Sequence, residues 1–205
     1  MVNVTAAAPS TEPRPSGLVR AQGWRDVWRL RDPAAEIVLY PRMLSETVLH
    51  EAERHCAFGP VFELRHALEV DAMGVQDTDD LFDALADGAL RDQLRDDAVA
   101  LAMLWSALTG RSRAVAKLEI VGTDRCTKLH ADYIQLRGLC TYAGPGTLYV
   151  PSEEAVGAEP PLRQAAVGDV VFLKGVKWPS RGALHRSPRI QGSGMRRLLL
   201  TVDGG

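Results

Sequence analysis

Two kinds of hydrophobic spacing divide the chain near Gly110. Before it, apolar residues recur every three or four positions. Val48, Leu49 and Ala52 follow Ser45 and Glu46, and a longer set runs from Leu90 through Leu94, Val99, Leu101, Ala102, Leu104, Trp105 and Leu108. This spacing predicts one helix capped by Ser45, a second starting at Asp79-Asp80-Leu81-Phe82, and a third over about 90–108. The apolar run Ile37–Tyr40, closed by Pro41, predicts a short strand. After Gly110 the apolar residues come in short runs bounded by Gly and Pro: 115–121, 133–142, 148–150, 164–173 and 195–202. Gly144-Pro145-Gly146 reads as a tight turn. Five or more short strands with no helix between them predict an α+β protein, with N-terminal helices packed on a C-terminal sandwich, barrel or jelly roll. Residues 1–22, rich in Pro, Ser, Thr and Ala without periodicity, are expected to be a disordered tail. Residues 23–205 are expected to form a single domain, helical over about 23–110 and β over about 111–205.

Composition narrows the function classes. A chain 46% hydrophobic and 24% charged can bury one sizeable core, and a net charge of -2 gives no global attraction to nucleic acid or an anionic membrane. No apolar run reaches membrane-spanning length, and three widely spaced cysteines, Cys56, Cys126 and Cys140, make no disulfide framework. A cytoplasmic protein acting on a small molecule is expected, with its oligomeric state left open.

The chemistry concentrates in Cys126-Thr-Lys-Leu-His130-Ala-Asp132-Tyr133. An imidazole and a carboxylate two positions apart at the start of a strand leave the same face. Two histidines and one carboxylate on one side of an ion, with the other side open, are the ligand set of non-haem Fe(II) oxygenases. His185, the only histidine C-terminal to this stretch, is the third candidate. Cys126 would convert the trio into a four-ligand zinc site, structural if all four bind. The plainer reading makes His130 and Asp132 a hydrogen-bonded core pair and Cys126 a small buried residue. His50 and His55 lie five apart and face different sides of a helix, which argues against a second metal site. No Gly-x-Ser-x-Gly elbow supplies a serine nucleophile.

The order of these pieces resembles the double-stranded β-helix (jelly-roll or cupin-like) dioxygenases dependent on Fe(II) and 2-oxoglutarate. It runs His-x-Asp, a hairpin, Gly168-Asp169 with an apolar strand, a distal His before Ser187-Pro188, and a basic residue on the last strand. The resemblance implies His130, Asp132 and His185 as metal ligands. It also implies Arg197 or Arg196 as partner of the distal carboxylate of 2-oxoglutarate; the two point to opposite faces of a strand, so only one can face the pocket. Tyr142 is a further candidate to assist, and Trp178 and Arg186 are expected on the substrate side. More narrowly, the stretches at Lys117–Val121, Cys126–Asp132, Cys140–Thr147, Phe172–Gly175 and His185–Pro188 are similar to an uncharacterised bacterial family, domain of unknown function 1826. No reaction comes with that likeness, and the frequent neighbourhood of its genes to zinc homeostasis keeps zinc as the alternative metal.

Overall fold

The computed structural model describes residues 17–76, 79–82 and 85–205; most of the expected tail, and part of the helix expected from Asp79, lie outside them. Two α-helices carry the periodic apolar stripes of the N-terminal half. In α1 (Glu46–Phe58) the Ser45 hydroxyl accepts from the Val48 N–H at 3.3 Å, satisfying one of the donors a helix start leaves free. It buries Val48, Ala52 and Cys56. In α2 (Ala89–Thr109) Leu94, Ala98, Leu101, Ala102 and Trp105 are buried, and Gly110 closes the helix at φ 72, a left-handed conformation that costs glycine little.

The strands, in chain order, are β1 (Leu18–Arg20), β2 (Ile37–Tyr40), β3 (Glu63–Asp71), β4 (Gly74–Gln76), β5 (Arg113–Val121), β6 (Leu136–Ala143), β7 (Leu148–Val150), β8 (Arg163–Gln164), β9 (Val170–Lys174), β10 (Leu184–Arg186) and β11 (Arg197–Asp203). Eight form a major sheet in the order β1-β2-β9-β6-β11-β5-β3-β4, antiparallel except where β1 runs parallel to β2. The other three form a minor sheet, β10-β7-β8, which a single antiparallel bridge between His130 and His185 extends by one chain.

Period-two alternation sorts the side chains of the major sheet between two cores. Leu136, Cys140 and Tyr142 on β6, and Leu198, Leu200 and Val202 on β11, join the helix residues in the larger core. Leu139, Val171, Leu173 and Leu199 turn the other way and pack with Tyr149, Ala165 and Ala183 between the sheets. Each fully buried aliphatic side chain contributes roughly 1.5–3 kcal/mol relative to exposure, so both faces hold the sheet in place. Trp105 ties the layers together, its indole N–H donating to the Leu136 carbonyl at 2.9 Å.

Three expectations change. The region expected to be helical contains β3 and β4. In β3 the apolar residues Leu64, Leu68 and Val70 alternate with charged ones, and pairing to β5 over seven residues fixes the strand. The segment at Asp79–Phe82 is a single 3-10 turn. β1 falls inside the stretch assigned to the tail, because its backbone can pair with β2. Among the described residues, no helix is long and apolar enough to cross a membrane.

Candidate metal centre

His130 and His185 are brought together by backbone pairing. The His130 N–H donates to the His185 carbonyl at 3.0 Å, and the His185 N–H donates to the His130 carbonyl at 2.9 Å. Residues directly opposite in an antiparallel pair project from one face, and the two rings lie with centroids 4.7 Å apart. His130 is not the start of β6, as expected, but an isolated bridge; β6 begins at Leu136. Asp132 sits in the connection between them. That connection is pinned by bonds from Gly175, Val176 and Lys177 N–H to the Gln135, Asp132 and Ile134 carbonyls, at 2.8, 2.9 and 3.0 Å. A Cβ at position 175 would stand 2.1 Å from the Ile134 oxygen, so the close approach that places Asp132 requires glycine.

One carboxylate oxygen lies 3.5 Å from His130 Nε2 and the other 3.3 Å from His185 Nε2, and a donor set from the three residues fits within 4.8 Å. Bonds of about 2.1 Å at right angles place donors roughly 3 Å apart, so the trio needs little movement to close on one ion. The protonation pattern also fits. His130 Nδ1 lies 2.8 Å from the Lys128 carbonyl and His185 Nδ1 lies 3.4 Å from that of Ala183. A carbonyl only accepts, so each Nδ1 is placed to carry a proton, and a neutral ring so protonated would offer its Nε2 lone pair to an ion. Asp132 Oδ2 is buried without a hydrogen bond, although Arg137 Nη1 approaches it to 2.8 Å off-axis in an ion pair. Burial alone would raise the Asp132 pKa; the approach of His185 and the charge of Arg137 outweigh it and hold the carboxyl below its ordinary value. Three convergent donors, one of them a buried carboxylate oxygen, fit a divalent ion.

The histidines line a cavity of about 230 Å³ between the sheets. Arg197 enters it from the inner face of β11. Only 2% exposed, it donates from Nη2 to Thr147 Oγ1 at 3.0 Å and Thr141 Oγ1 at 3.4 Å. Its Nε is buried with no partner, and no carboxylate of the described residues lies within 4.0 Å of the guanidinium. Burial drives its pKa down to about 10, and Glu119 offsets only part of this. An unpaired buried cation is costly, so this group is set to receive an anion.

The other candidates lie elsewhere. Arg196 faces away, donating to the Gly59 and Cys56 carbonyls at 2.7 and 3.3 Å, where its charge suits the C-terminal end of α1. Tyr142 has the wrong strand parity: it lies on the helix side of β6 and donates to Asp97, which removes it from any role in the cavity. Cys126 lines the rim, exposed and with φ 49, and its thiol is not part of the donor cluster, so the four-ligand zinc set is not assembled. Trp178 packs beside Lys174, and Arg186 lines a separate recess on the far side of the minor sheet. The wall also holds residues that sequence reasoning did not single out: Arg137, Thr147, Lys117, Glu119, Glu63, Arg65 and Arg125. Lys117 and Glu119 share one side of an alternating strand, a pattern legible in the sequence only once that side is known to face a cavity.

The family described as protein of unknown function (DUF1826) matches over residues 22–203. No curated protein matches. Among solved structures, a dioxygenase for auxin oxidation from rice is 14% identical with a TM-score of 0.54, the match covering 91% of this chain and 81% of that one. A prolyl-4-hydroxylase from Pseudomonas putida is 11% identical with a TM-score of 0.50, covering 97% and 96%. At such identities the likeness concerns the fold, which is the double-stranded β-helix that the motif order implied.

Proposed function

The chain belongs to the DUF1826 family, whose description assigns no reaction, and from that premise we propose that it is a mononuclear non-haem Fe(II) oxygenase that uses 2-oxoglutarate and acts on a small organic substrate. The observation that carries this reading is Arg197, a buried guanidinium with an unpartnered Nε in the same cavity as the two histidines. A metal-binding trio alone would suit many roles; a trio beside an unneutralised guanidinium suits a ligand that joins a metal-chelating end to a distal carboxylate.

Fe(II) with 2-oxoglutarate supplies O₂ activation coupled to decarboxylation of the co-substrate to succinate and CO₂. The protein's part is to hold and orient. His130 and His185 would supply Nε2 lone pairs, and Asp132 supplies a carboxylate kept ionised by its neighbours His185 and Arg137. Arg197 fixes the distal carboxylate, and Thr141 and Thr147 fix Arg197. Leu139, Leu199 and Val121 contribute apolar wall that limits water. Protein purified without oxygen and supplied with Fe(II) and 2-oxoglutarate is expected to release succinate, and His130→Ala and His185→Ala are expected to abolish both release and stoichiometric metal. Tightly held zinc with no succinate release under any metal would overturn the reading in favour of a zinc protein.

A further inference from the structure

At one end of the cavity wall, β3 and β5 pair so that Glu63 stands directly opposite Glu119, and Arg65 directly opposite Lys117. Like charges across an antiparallel pair repel. The acidic pair is neutralised from outside the two strands: Arg125 lies 2.7 Å from Glu63 and 3.6 Å from Glu119. Among the described residues the basic pair has no such partner from outside the two strands. Arg65 reaches Glu63 in its own strand at 2.9 Å, and Lys117 reaches Glu119 at 2.7 Å, so three cations share two carboxylates. All five side chains line the same cavity as His130, His185 and Arg197.

The row has a direction. Arg65 is 63% exposed in its side chain, Lys117 24%, and the next residue across the sheet, opposite Lys117 on β11, is the buried Thr201, a hydroxyl donor. Beyond it on β6 comes Leu139, opposite Thr201. A line of donors therefore runs from solvent inward along one rung of the sheet and ends in apolar wall. Arg197 is separate from this rung, lying opposite Val121 four residues further along β5.

We propose that this rung is the substrate's anchoring site, and that the substrate carries an oxyanion, a carboxylate or phosphate, held between Arg65 and Lys117 with the Thr201 hydroxyl beneath it. Binding relieves the cross-strand repulsion and supplies the charge that Glu63 and Glu119 leave unmatched. The substrate class that follows is a small anion, in place of a neutral or purely hydrocarbon molecule. The name "substrate" rests on the oxygenase reading; the oxyanion site does not.

The test is calorimetric titration of inorganic phosphate, and separately acetate, into the full chain, with and without saturating 2-oxoglutarate. Variants are Arg65→Gln, Lys117→Gln, their combination, and Arg197→Met, each checked for an intact melting transition. The expected result is an oxyanion site that survives saturation with 2-oxoglutarate. It should weaken at least tenfold in the double variant and less in each single one, and stay within twofold in Arg197→Met. The stronger of the two probes identifies the oxyanion. Absence of phosphate and acetate binding, binding abolished by 2-oxoglutarate, or affinity unchanged in the double variant overturns the proposal. If 2-oxoglutarate itself fails to bind while phosphate still requires Arg65 and Lys117, the oxyanion site stands and the oxygenase reading falls.

Discussion

Two arginines, Arg42 partly buried and Arg197 fully buried, lie on opposite faces of the same sheet. On the helix side, Arg42 donates from Nη1 to Asp97 Oδ1 at 2.6 Å, from Nη2 to Oδ2, and from Nε to the Gly168 carbonyl at 2.8 Å. Tyr142 donates to the same carboxylate. Burial pulls the Arg42 pKa down, but the bonds to Asp97 and the surrounding charges outweigh it and leave the guanidinium held more firmly than an ordinary arginine. On the cavity side Arg197 has two threonine hydroxyls, an unpartnered Nε and, among the described residues, no carboxylate in ion-pair reach, and its pKa moves the other way. The first cluster is complete within the chain and ties α2 to the sheet. The second is incomplete, and a buried charge that the fold leaves unanswered marks where a ligand belongs.

The largest effect expected from this contrast is at Asp97. Asp97→Ala strands Arg42 and Tyr142, and a loss of about 3–5 kcal/mol in denaturant unfolding is expected, with 2-oxoglutarate affinity within twofold of the original. Arg197→Met should do the reverse. Truncating one partner of a buried charge pair costs about 2–5 kcal/mol of binding, so 2-oxoglutarate affinity should fall from roughly thirtyfold to several thousandfold by calorimetry. Its melting temperature should rise, by about 2–4 °C for each kcal/mol gained. The sign follows from linkage: the folded value lies below that of an ordinary arginine, so at neutral pH both states are charged and the folded state bears the full burial cost, which declines only as pH climbs past about 10. A lower melting temperature in Arg197→Met would place that residue with Arg42 and remove the contrast.

Tyr142→Phe leaves Asp97 with one partner fewer and should cost about 1–3 kcal/mol of stability without touching ligand affinity; a weaker 2-oxoglutarate complex would return Tyr142 to the cavity. Arg196→Met should cost only about 0.3–1 kcal/mol, the value of a cation at a helix C-terminus. The smallest effect concerns pH. Asp132 has a lowered folded pKa, so its share of stability is present above the ordinary carboxylate value and lost as pH falls through the folded one. The stability difference between metal-free wild type and Asp132→Asn should therefore narrow in melts taken from pH 7 toward pH 3.

Much of the frame was open to a reader of the sequence. Spacing alone marked α1 with its Ser45 cap, α2 ending at Gly110, and the strands β5, β6, β7, β9 and β11 but not β10, because helix and strand periods are local properties of the chain. β3 was hidden because its alternation is diluted by charges on the cavity side, and those charges make sense only beside β5. β1 was hidden because two apolar residues gain strand geometry only from β2.

The site divides in the same way. The sequence by itself determined the donor types, two imidazoles and a carboxylate, and the parity that lets only one of Arg196 and Arg197 face inward. The tertiary structure decided which one, by setting the register of β11 against β5 and β6. It also decided that His130 meets His185 through one backbone bridge, that Gly175 admits the Asp132 connection, and that Arg65 stands directly opposite Lys117. These are contacts between segments distant in the chain. Their energies depend on what burial leaves unpaired, a quantity that does not exist until the chain has folded.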